Sequence, residues 1–426
     1  MKVYLDMVGC RLNQSEIEKM AATLQAQGHE IVSETGIADY IIVNTCCVTA
    51  KACADSRKMI RKYGRETSAK VVATGCWSTI FKHEAQELTS PELVFDNFSK
   101  ETLVNYLAQT GFSAPEDGHA RAKPSLGSRS RTRSFIKIQD GCDNYCTYCL
   151  TRIARGPSKS IPAEQVIRDV LTAEEQGAKE IVLTGVQLGS WGKDLFPEVK
   201  ISDLLIAVLE STQIPRVRIS SIEPWNVDDA LLDCWTNERL CPHLHIPLQS
   251  GSDLILRRMG RPFTSDQYRK LIERISEKVP EMAITTDIIV GFPGETEEDF
   301  IESFNIIQTL GFSGGHVFRF SPMPQTTASR FENQIPAKIS QGRSHHLLEL
   351  FRNASVDKMK SMVGRVESVL WECSPSQRDW DHYSGFTRNY MRVDCSSTMN
   401  ISNTIRNVLI TGIDQYGNLK GGLVDT

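Results

Sequence analysis

The sequence predicts an α/β protein in three folded parts: a parallel α/β domain, a partial TIM-like (β/α)6 barrel and a small β-barrel. Strands and helices alternate over residues 1–110, a pattern that builds parallel sheets. A strand–helix pattern then repeats six times over residues 135–335, which indicates a partial barrel with its chemistry at the carboxyl ends of the strands. Short alternating strands with turn residues between them occupy residues 362–426, as in small β-barrels.

Two connecting segments separate these parts. Residues 111–134 contain glycine, proline and serine throughout, and we predict a linker there. Residues 336–361 are predicted to form a helical connector between the partial barrel and the C-terminal barrel.

Bulk composition places the chain in a broad class. Its residues are 40% hydrophobic and 23% charged, which is ordinary for a soluble globular protein. We expect neither a signal peptide nor a membrane span, because no apolar run is long enough for either. Twelve cysteines without a secretory signal indicate reduced thiols and metal binding in the cytoplasm rather than disulfides. The net charge of −4 predicts that any nucleic-acid partner is met by local basic patches.

Three cysteines follow the three main predicted strands of the N-terminal domain. The strands are residues 3–5, 40–43 and 70–73, and the cysteines are Cys10, Cys46 and Cys76. Because ligands bind outside the carboxyl ends of the strands in open α/β sheets, we expect these thiolates to converge on one edge. Equivalent placement of three cysteines favours an iron–sulfur cluster over cysteines that are merely buried at strand ends.

Three other residues of this domain carry smaller predictions. Asn13 is expected to cap the first helix. Cys47 adjoins Cys46, but the alternation of side chains along a strand turns it the opposite way. We therefore expect Cys47 and Cys53 to be ordinary reduced thiols.

A second set of cysteines, Cys142, Cys146 and Cys149, has the spacing C-x3-C-x2-C in a loop after the strand-like residues 135–138. This spacing lets three thiolates face one point. Iron–sulfur clusters usually take four cysteine thiolates, so three leave one iron open to a small molecule. A zinc site would need a fourth ligand nearby, and no flanking residue is a good candidate.

Four further strand ends of the barrel segment carry polar or glycine-rich residues. They include Gly185 and Gln187 after the second strand, Glu223 after the third, Gln249 after the fourth and residues 291–295 after the fifth. Glycine permits close approach of the backbone to a ligand. Their shared position predicts a ligand pocket on one face of the barrel.

Together these motifs resemble the methylthiotransferases of the radical S-adenosylmethionine (SAM) superfamily, and the resemblance covers the whole chain. It is carried by Val8-Gly9-Cys10, Asn44-Thr45-Cys46, Gly75-Cys76, Asp140-Gly141-Cys142 through Cys149, Ala154-Arg155-Gly156, His245-Ile246-Pro247-Leu248-Gln249-Ser250-Gly251 and Gly291-Phe292-Pro293-Gly294-Glu295-Thr296. The resemblance implies two [4Fe–4S] clusters, an auxiliary one on Cys10, Cys46 and Cys76 and a SAM-cleaving one on Cys142, Cys146 and Cys149. It also implies that the C-terminal barrel is a TRAM domain.

The same resemblance implies the chemistry. SAM is used twice, once to methylate sulfur at the auxiliary cluster and once to supply the radical that removes hydrogen from an unactivated carbon. An aromatic C–H has no acidic proton, so a cofactor must carry this step. SAM would be oriented by Gly185, Gln187, Glu223 and Gln249, with Tyr148 beside its adenine. A reductant such as a flavodoxin or ferredoxin would supply the electron.

Residues 151–160 and 44–49 look most like the branch that methylthiolates C2 of N6-threonylcarbamoyladenosine, 3′ of the anticodon of tRNA. We expect a cation near the carboxylate of the threonylcarbamoyl group, and the candidates are Arg152, Arg155 and Lys159. Two other branches are alternatives, which act on isopentenyladenosine in tRNA or on an aspartate of a small-subunit ribosomal protein. A non-catalytic iron–sulfur RNA-binding protein is an alternative of another class. The expected partner is a tRNA anticodon stem-loop, with no DNA and no membrane.

The C-terminal domain departs from this resemblance in its charge. Residues 362–426 hold six Lys and Arg against seven Asp and Glu. RNA contact in this domain therefore requires that its cations share one face, namely Arg365, Arg388, Arg392, Arg406 and Lys420.

Overall fold

The computed structural model describes residues 1–109, 132–372 and 382–424, which form two compact units. The first unit contains residues 1–109, 140–144 and 149–158. The second contains residues 132–139, 145–148 and the described part of the chain from residue 159 onward. Most of the predicted linker, residues 111–134, lies outside the described residues, although the first strand of the second unit begins inside it at Arg133.

The first unit is built on a parallel five-stranded sheet in the order β2-β1-β3-β4-β5. Its elements are β1 (Lys2–Met7), α1 (Arg11–Ala26), β2 (Glu30–Ile31), β3 (Tyr40–Thr45), α2 (Ala50–Glu66), β4 (Lys70–Gly75), α3 (Cys76–Ile80), α4 (Lys82–Leu88), β5 (Val94–Phe95) and α5 (Lys100–Gln109). Strand residues such as Ile42 and Val72 pack against Ile17 and Leu24 of α1 in one core. This packing follows from the apolar helical spacing of α1 and the apolar runs of the strands.

The prediction for Asn13 is wrong. Helix α1 already begins at Arg11, so Asn13 lies in its first turn and does not cap it. Its side-chain amide instead donates to the carbonyl oxygens of Val8 (2.8 Å) and Thr45 (3.0 Å). The residue therefore joins the ends of β1 and β3, which is a tertiary role that local capping preference does not predict.

The second unit contains a partial barrel followed by a closed barrel. Two elements of this part of the chain do not belong to it alone: β7 (Gln139–Asp140) crosses the unit boundary, and α6 (Thr151–Arg155) belongs to the first unit. The partial barrel contains β6 (Arg133–Lys137), β8 (Lys159–Ser160), α7 (Ala163–Glu175), β9 (Glu180–Thr184), α8 (Ile201–Ser211), β10 (Arg216–Ile219), α9 (Asp229–Asp233), β11 (His243–His245), α10 (Asp253–Met259), α11 (Ser265–Lys278), β12 (Ala283–Val290), α12 (Glu297–Thr309) and β13 (Gly314–Arg319). Helix α13 (Ala337–Lys360) precedes the closed barrel, whose strands are β14 (Val366–Trp371), β15 (His382–Thr387), β16 (Arg392–Ser396), β17 (Ile405–Ile413) and β18 (Leu419–Leu423).

Two three-stranded parallel sheets, β6-β9-β10 and β11-β12-β13, make up the partial barrel. Isolated bridges from Val217 to Leu240 and from Ser221 to His245 connect them, so six strands follow one another in chain order. Strand β11 ends at His245, before the predicted end at residue 248. Pro247 has no N–H to donate, and the Leu248 N–H is bonded to the Thr286 hydroxyl (3.0 Å).

The C-terminal strands close into a barrel in the order β14-β15-β16-β18-β17. Its core contains Trp371, Tyr383 and Val393. The predicted fold class, an α/β protein with a partial barrel and a small C-terminal β-barrel, is thereby confirmed.

A buried charge cluster lies where the strands of the partial barrel begin. Glu180, at the start of β9, is fully buried and ion paired with Arg218 (3.1 Å) and with Arg133 (2.5 Å). Burial alone would raise the pKa of Glu180, but the two guanidinium groups lower it to about 2. Arg218 also lies over the ring of Tyr390 (4.4 Å), which joins this cluster to the C-terminal barrel.

Replacing Glu180 with Gln should lower the free energy of unfolding by about 3–5 kcal/mol at pH 7, because it removes the carboxylate partner of the buried Arg218 and leaves Arg133 with only the partly exposed Glu372. The folded-state pKa is depressed, so the stability from Glu180 is present above the ordinary carboxyl pKa and is lost as the pH falls towards about 2. The difference between wild type and variant should therefore shrink below about pH 4. Denaturant unfolding of the apoprotein measures it, with the exposed Glu210→Gln as control. Equal stabilities of E180Q and wild type at pH 7 would contradict the prediction.

Candidate metal centre and active site

Cys10, Cys46 and Cys76 lie at the carboxyl ends of three neighbouring parallel strands in the first unit. Cys10 follows β1 and is exposed, while Cys46 follows β3 and Cys76 begins α3 directly after β4, and both are buried. Gly9 brings its segment close to Cys46, with a φ of 113° and room for no Cβ, which would lie 2.5 Å from the Cys46 Cβ. The three cysteines therefore lie at the same edge of the sheet, because β1, β3 and β4 are neighbouring parallel strands.

The chemistry of this edge fits a [4Fe–4S] cluster. Among the described residues, no three His, Cys, Asp or Glu side chains are grouped closely enough to hold one metal ion. A [4Fe–4S] cluster requires a wider spacing, because each thiolate binds a different iron. Two cations, Arg155 and Lys100, lie in the same region and favour thiolate over thiol. These residues can therefore hold such a cluster with one iron open.

The cysteines differ in how readily they ionise. The pKa of the Cys76 thiol is lowered, first by a hydrogen bond with Cys47 and then by the charges of Arg155 and Lys100, against the opposing effect of burial. Burial raises the pKa of Cys46 to about 12. The neighbouring charges thus favour the thiolate form of Cys76, whereas Cys46 would have to release its proton on binding a metal.

The prediction that Cys47 points away from this edge is wrong. Strand β3 ends at Thr45, so the alternation of side chains along a strand does not extend to residues 46 and 47. The Cys47 thiol is hydrogen bonded to Cys76, and this bond is the largest cause of a raised pKa of Cys47. Cys53 is buried in α2, one turn from the helix start. Cys47 is therefore a fourth thiol at this edge, next to Cys76.

Arg155 occupies the same buried region rather than a substrate surface. Its Nε donates to the Cys76 sulfur (3.2 Å), and its Nη1 donates to Glu16 (2.8 Å) and Asp140 (2.9 Å). Its Nη2 donates to Asn13 (2.9 Å) and to the second oxygen of Glu16 (3.4 Å). These contacts use all five donors of a guanidinium. We therefore withdraw the predicted role of Arg155 as a cation for a substrate carboxylate.

The two other predicted substrate cations are more accessible. Arg152, one turn before Arg155 in α6, is ion paired with Asp143 (3.6 Å), and its side chain is 37% exposed. Lys159, in the second unit, is exposed. Both keep a charge within reach of solvent, as a residue that binds an incoming carboxylate requires.

Each sulfur of the C-x3-C-x2-C loop has an N–H group nearby. In the first unit, the backbone N–H groups of Asn144 and Thr151 donate to Cys142 and Cys149, each at 3.4 Å. In the second unit, Arg261 approaches the Cys146 sulfur (3.6 Å). Hydrogen bonds to sulfur are among the features that set cluster potentials, so this loop is suited to hold a cluster.

The predicted SAM positions lie at strand ends in the second unit, and Gln139 shapes the first of them. The Gln139 side-chain oxygen accepts from the backbone N–H groups of Val186 (2.9 Å) and Gln187 (2.8 Å). A Cβ on Gly185 would lie 2.9 Å from that oxygen, so glycine is required there. The sequence contains Gln139 at the start of the cysteine motif, but nothing local in it indicates this contact.

Glu223, Gln249 and Tyr148 are each held by a neighbour in the second unit. Glu223 forms an ion pair with Arg261, the same residue that approaches Cys146. Gln249 has a φ of 72°, and its backbone N–H donates to Asp287 (2.8 Å). The Tyr148 ring packs edge-on against Phe292, with centroids 6.4 Å apart.

Arg261 is the residue of this group that the sequence reasoning missed. In the sequence it is only a basic residue just after the glycine that ends α10, and no spacing rule distinguishes it from Arg257 or Arg258.

Among the residues that the structure describes, no helix is both long and apolar enough to span a bilayer.

Comparisons with known proteins agree with this architecture. Residues 136–307 match the model of the radical SAM superfamily, and residues 2–96 match the family described as uncharacterized protein family UPF0004. The threonylcarbamoyladenosine tRNA methylthiotransferase MtaB of Thermotoga maritima is 37% identical over 378 residues, which cover 87% of this chain and 86% of that protein. The chain belongs to the radical SAM methylthiotransferase family. The resemblance predicted from the motifs is confirmed.

Other members of this methylthiotransferase family cover nearly the whole chain. MtaB of Bacillus subtilis is 32% identical over 421 residues, covering 95% of this chain and 92% of that protein. The tRNA-2-methylthio-N(6)-dimethylallyladenosine synthase of Clostridium perfringens is 31% identical over 436 residues, covering 98% and 96%. Among solved structures, the radical SAM methyltransferase TsrM of Kitasatospora setae aligns with a TM-score of 0.54 at 13% identity, over 88% of this chain and 79% of that one. At that identity the likeness shows the fold alone.

Proposed function

We propose that this methylthiotransferase adds a methylthio group to C2 of N6-threonylcarbamoyladenosine, 3′ of the tRNA anticodon, to give 2-methylthio-N6-threonylcarbamoyladenosine. The observation that carries the proposal is a second set of three cysteines on neighbouring strand ends, in the same chain as the C-x3-C-x2-C motif of radical SAM proteins. The choice of nucleoside is supported by relatives that bear this substrate in their names.

The two cysteine sets would hold two [4Fe–4S] clusters. Cys142, Cys146 and Cys149 would bind the one that takes SAM, and Cys10, Cys46 and Cys76 the auxiliary one. When bound, the clusters and SAM would supply the path for an electron from the reductant, the carbon-centred radical that removes the aromatic hydrogen, and the methyl group that is placed on sulfur at the auxiliary cluster. A protein reductant such as a flavodoxin or ferredoxin would deliver the electron.

The chain's own residues would orient SAM and keep the pocket dry. The turn at Gly185 and Gln187 is fixed by Gln139, and Glu223 is fixed by Arg261, so these groups are held in place before SAM arrives. Tyr148 would lie beside the adenine, and Gln249 would offer its amide. Such preorganisation lowers the entropy cost of aligning the reacting groups.

Substrate choice would depend on charge. The threonylcarbamoyl group ends in a carboxylate, and the candidate cations to neutralise it are Arg152, which is partly exposed, or Lys159, which is exposed. A dimethylallyl group carries no charge and would bind in an apolar pocket instead. Because relatives named for the dimethylallyl nucleoside also match the whole chain, that nucleoside is the second candidate.

The face of α2 offers a contact for the tRNA backbone. Five cations at helical spacing line a shallow groove of about 450 Å³: Arg57, Lys58, Arg61, Lys62 and Arg65. The helix carries six Lys and Arg against two Asp and Glu, in a chain whose net charge is −4. It spans about 25 Å at 1.5 Å per residue, so several phosphates can meet it.

The C-terminal barrel is a second candidate for this contact. Arg388 donates to the backbone carbonyls of Glu238 and Leu240, and Arg392 is ion paired with Asp394 (3.4 Å). On α2, Arg57 is ion paired with Glu84 (3.4 Å) and Lys62 with Glu66 (3.9 Å). Each surface therefore has two of its five cations paired within the protein, and the choice of α2 depends on its cations lying on one helix face.

The first test of the function separates the two clusters. Replacing Cys142, Cys146 and Cys149 together with alanine should leave about four irons per chain and abolish SAM cleavage. Replacing Cys10, Cys46 and Cys76 should keep reductive SAM cleavage but end sulfur insertion. Iron analysis and detection of 5′-deoxyadenosine provide the readouts. Two full clusters in the first variant would contradict the assignment.

The second test identifies the nucleoside. Deleting the gene should remove 2-methylthio-N6-threonylcarbamoyladenosine from tRNA, as measured by mass spectrometry of nucleosides. The 2-methylthio derivative of isopentenyladenosine and the modified ribosomal aspartate should be unaffected. Complementation with Arg152→Met should restore less product than wild type, since the carboxylate loses a cation. Loss of either other modification instead would transfer the assignment to that branch.

The third test concerns the α2 face. The double variant Arg61→Gln, Arg65→Gln should bind tRNA more weakly, and the slope of log affinity against log salt should fall by about one to two. The control is Lys338→Gln, Arg352→Gln on the exposed side of α13, which should leave both quantities unchanged. Unaltered tRNA binding in the α2 variant would refute this contact. Weakened docking of the reductant alone would assign the face to an acidic protein.

A further inference from the structure

Arg155 connects parts of the first unit that are far apart in the sequence. It is the last residue of α6 and lies 79 residues after Cys76 and 139 after Glu16. Its guanidinium reaches both of these residues and also Asp140 (2.9 Å), which directly precedes Gly141 and Cys142. One side chain thus contacts the strand-end cysteines and the start of the C-x3-C-x2-C motif.

The surroundings of Arg155 require a permanent cation. Its side chain is 3% exposed, and the side chain of Glu16 is 5% exposed. A guanidinium does not lose its proton in proteins and presents donors in a rigid fork, so it can serve a thiolate and two carboxylates at once. Lys100 also binds Glu16 (2.6 Å). Arg155 binds both Glu16 and Asp140 and is therefore a cation that joins the two sides.

Backbone contacts hold the same two segments together. The Cys142 N–H donates to the carbonyl of Gly156, the residue after Arg155, at 3.0 Å. Asn97 donates to the carbonyl of Ala154 (2.8 Å) and to the Cys76 sulfur (3.5 Å). The chain around Arg155 is thus anchored towards Cys142 on one side and towards Cys76 on the other.

We propose that Arg155 is a positioning residue that fixes the Cys142 segment relative to Cys76 and donates a charge-assisted hydrogen bond to the sulfur ligand of the auxiliary cluster. This inference rests on the proposed function, because it assumes that Cys76 ligates that cluster. An N–H donor and a positive charge beside a ligating sulfur stabilise the reduced, more negative cluster. Arg155 thereby raises the reduction potential of the auxiliary cluster and ties its position to the loop of the other cluster.

The experiment uses the full chain with Cys142, Cys146 and Cys149 replaced by alanine, so that only the auxiliary cluster can form. Redox titration followed by electron paramagnetic resonance gives its midpoint potential in this parent, in Arg155→Met and in Arg155→Lys. We expect a lower midpoint in R155M and an intermediate one in R155K, which keeps the charge but loses the fork. The control is Arg152→Met, one turn earlier in the same helix, whose charge faces Asp143. It should shift the midpoint less than R155M does.

A second readout does not need the cluster. Hydrogen exchange in the wild-type apoprotein and its R155M variant reports on the Cys142 N–H, whose bond to Gly156 should open more often in the variant. If R155M binds no iron, faster exchange at Cys142 supports the proposal and unchanged exchange overturns it.

The outcomes separate this inference from the proposed function. A parent variant without iron refutes the auxiliary cluster itself and, with it, the claim about its potential. A parent with iron, together with an R155M midpoint and a Cys142 exchange rate equal to those of their references, overturns the role of Arg155 alone. A midpoint shift in R152M as large as that in R155M would also overturn it, because the effect would then be one of general charge.

Discussion

Parallel strands end at one edge of their sheet, and the candidate sites of this protein depend on that constraint. In the first unit it places Cys10, Cys46 and Cys76 together although they are separated by 36 and 30 positions in the sequence. In the second unit it places the Gly185 turn, Glu223 and Gln249 after successive strands. Gly9 lets the segment that carries Cys10 approach Cys46 closely, so the position of these cysteines depends on this backbone conformation.

Buried arginine–carboxylate pairs stabilise the two units in different ways. Glu180 and Arg133 lie at the first residues of their strands and pair with Arg218 of β10, and we expect their effect to be on stability. Arg155 and Glu16 lie beside the cysteines of the first unit, and a thiolate is part of their network. Burying charge is costly unless it is paired, so a cation placed next to a ligating sulfur serves both the fold and the metal.

Much of the fold could be predicted because it depends on local pattern. Strand–helix alternation and the spacing of Cys142, Cys146 and Cys149 are visible within short windows of sequence. Most of what the sequence did not predict concerns contacts between distant residues. Asn13 bonds to Thr45 across 32 positions, and Gln139 to Gln187 across 48. Cys47 was misjudged because β3 ends two residues earlier than the alternation argument assumed.

The reassignment of Arg155 sharpens the question of specificity. A guanidinium whose five donors are used cannot also turn to an incoming carboxylate without breaking its buried ion pairs with Glu16 and Asp140. Breaking these buried ion pairs would cost more free energy than a new pair with the substrate would contribute, since exposed ion pairs contribute at most about 1 kcal/mol. Under the proposed function, recognition of the threonylcarbamoyl group would have to come from cations that solvent reaches. Arg152 is such a candidate, because its ion pair with Asp143 is partly exposed and such pairs contribute little to stability.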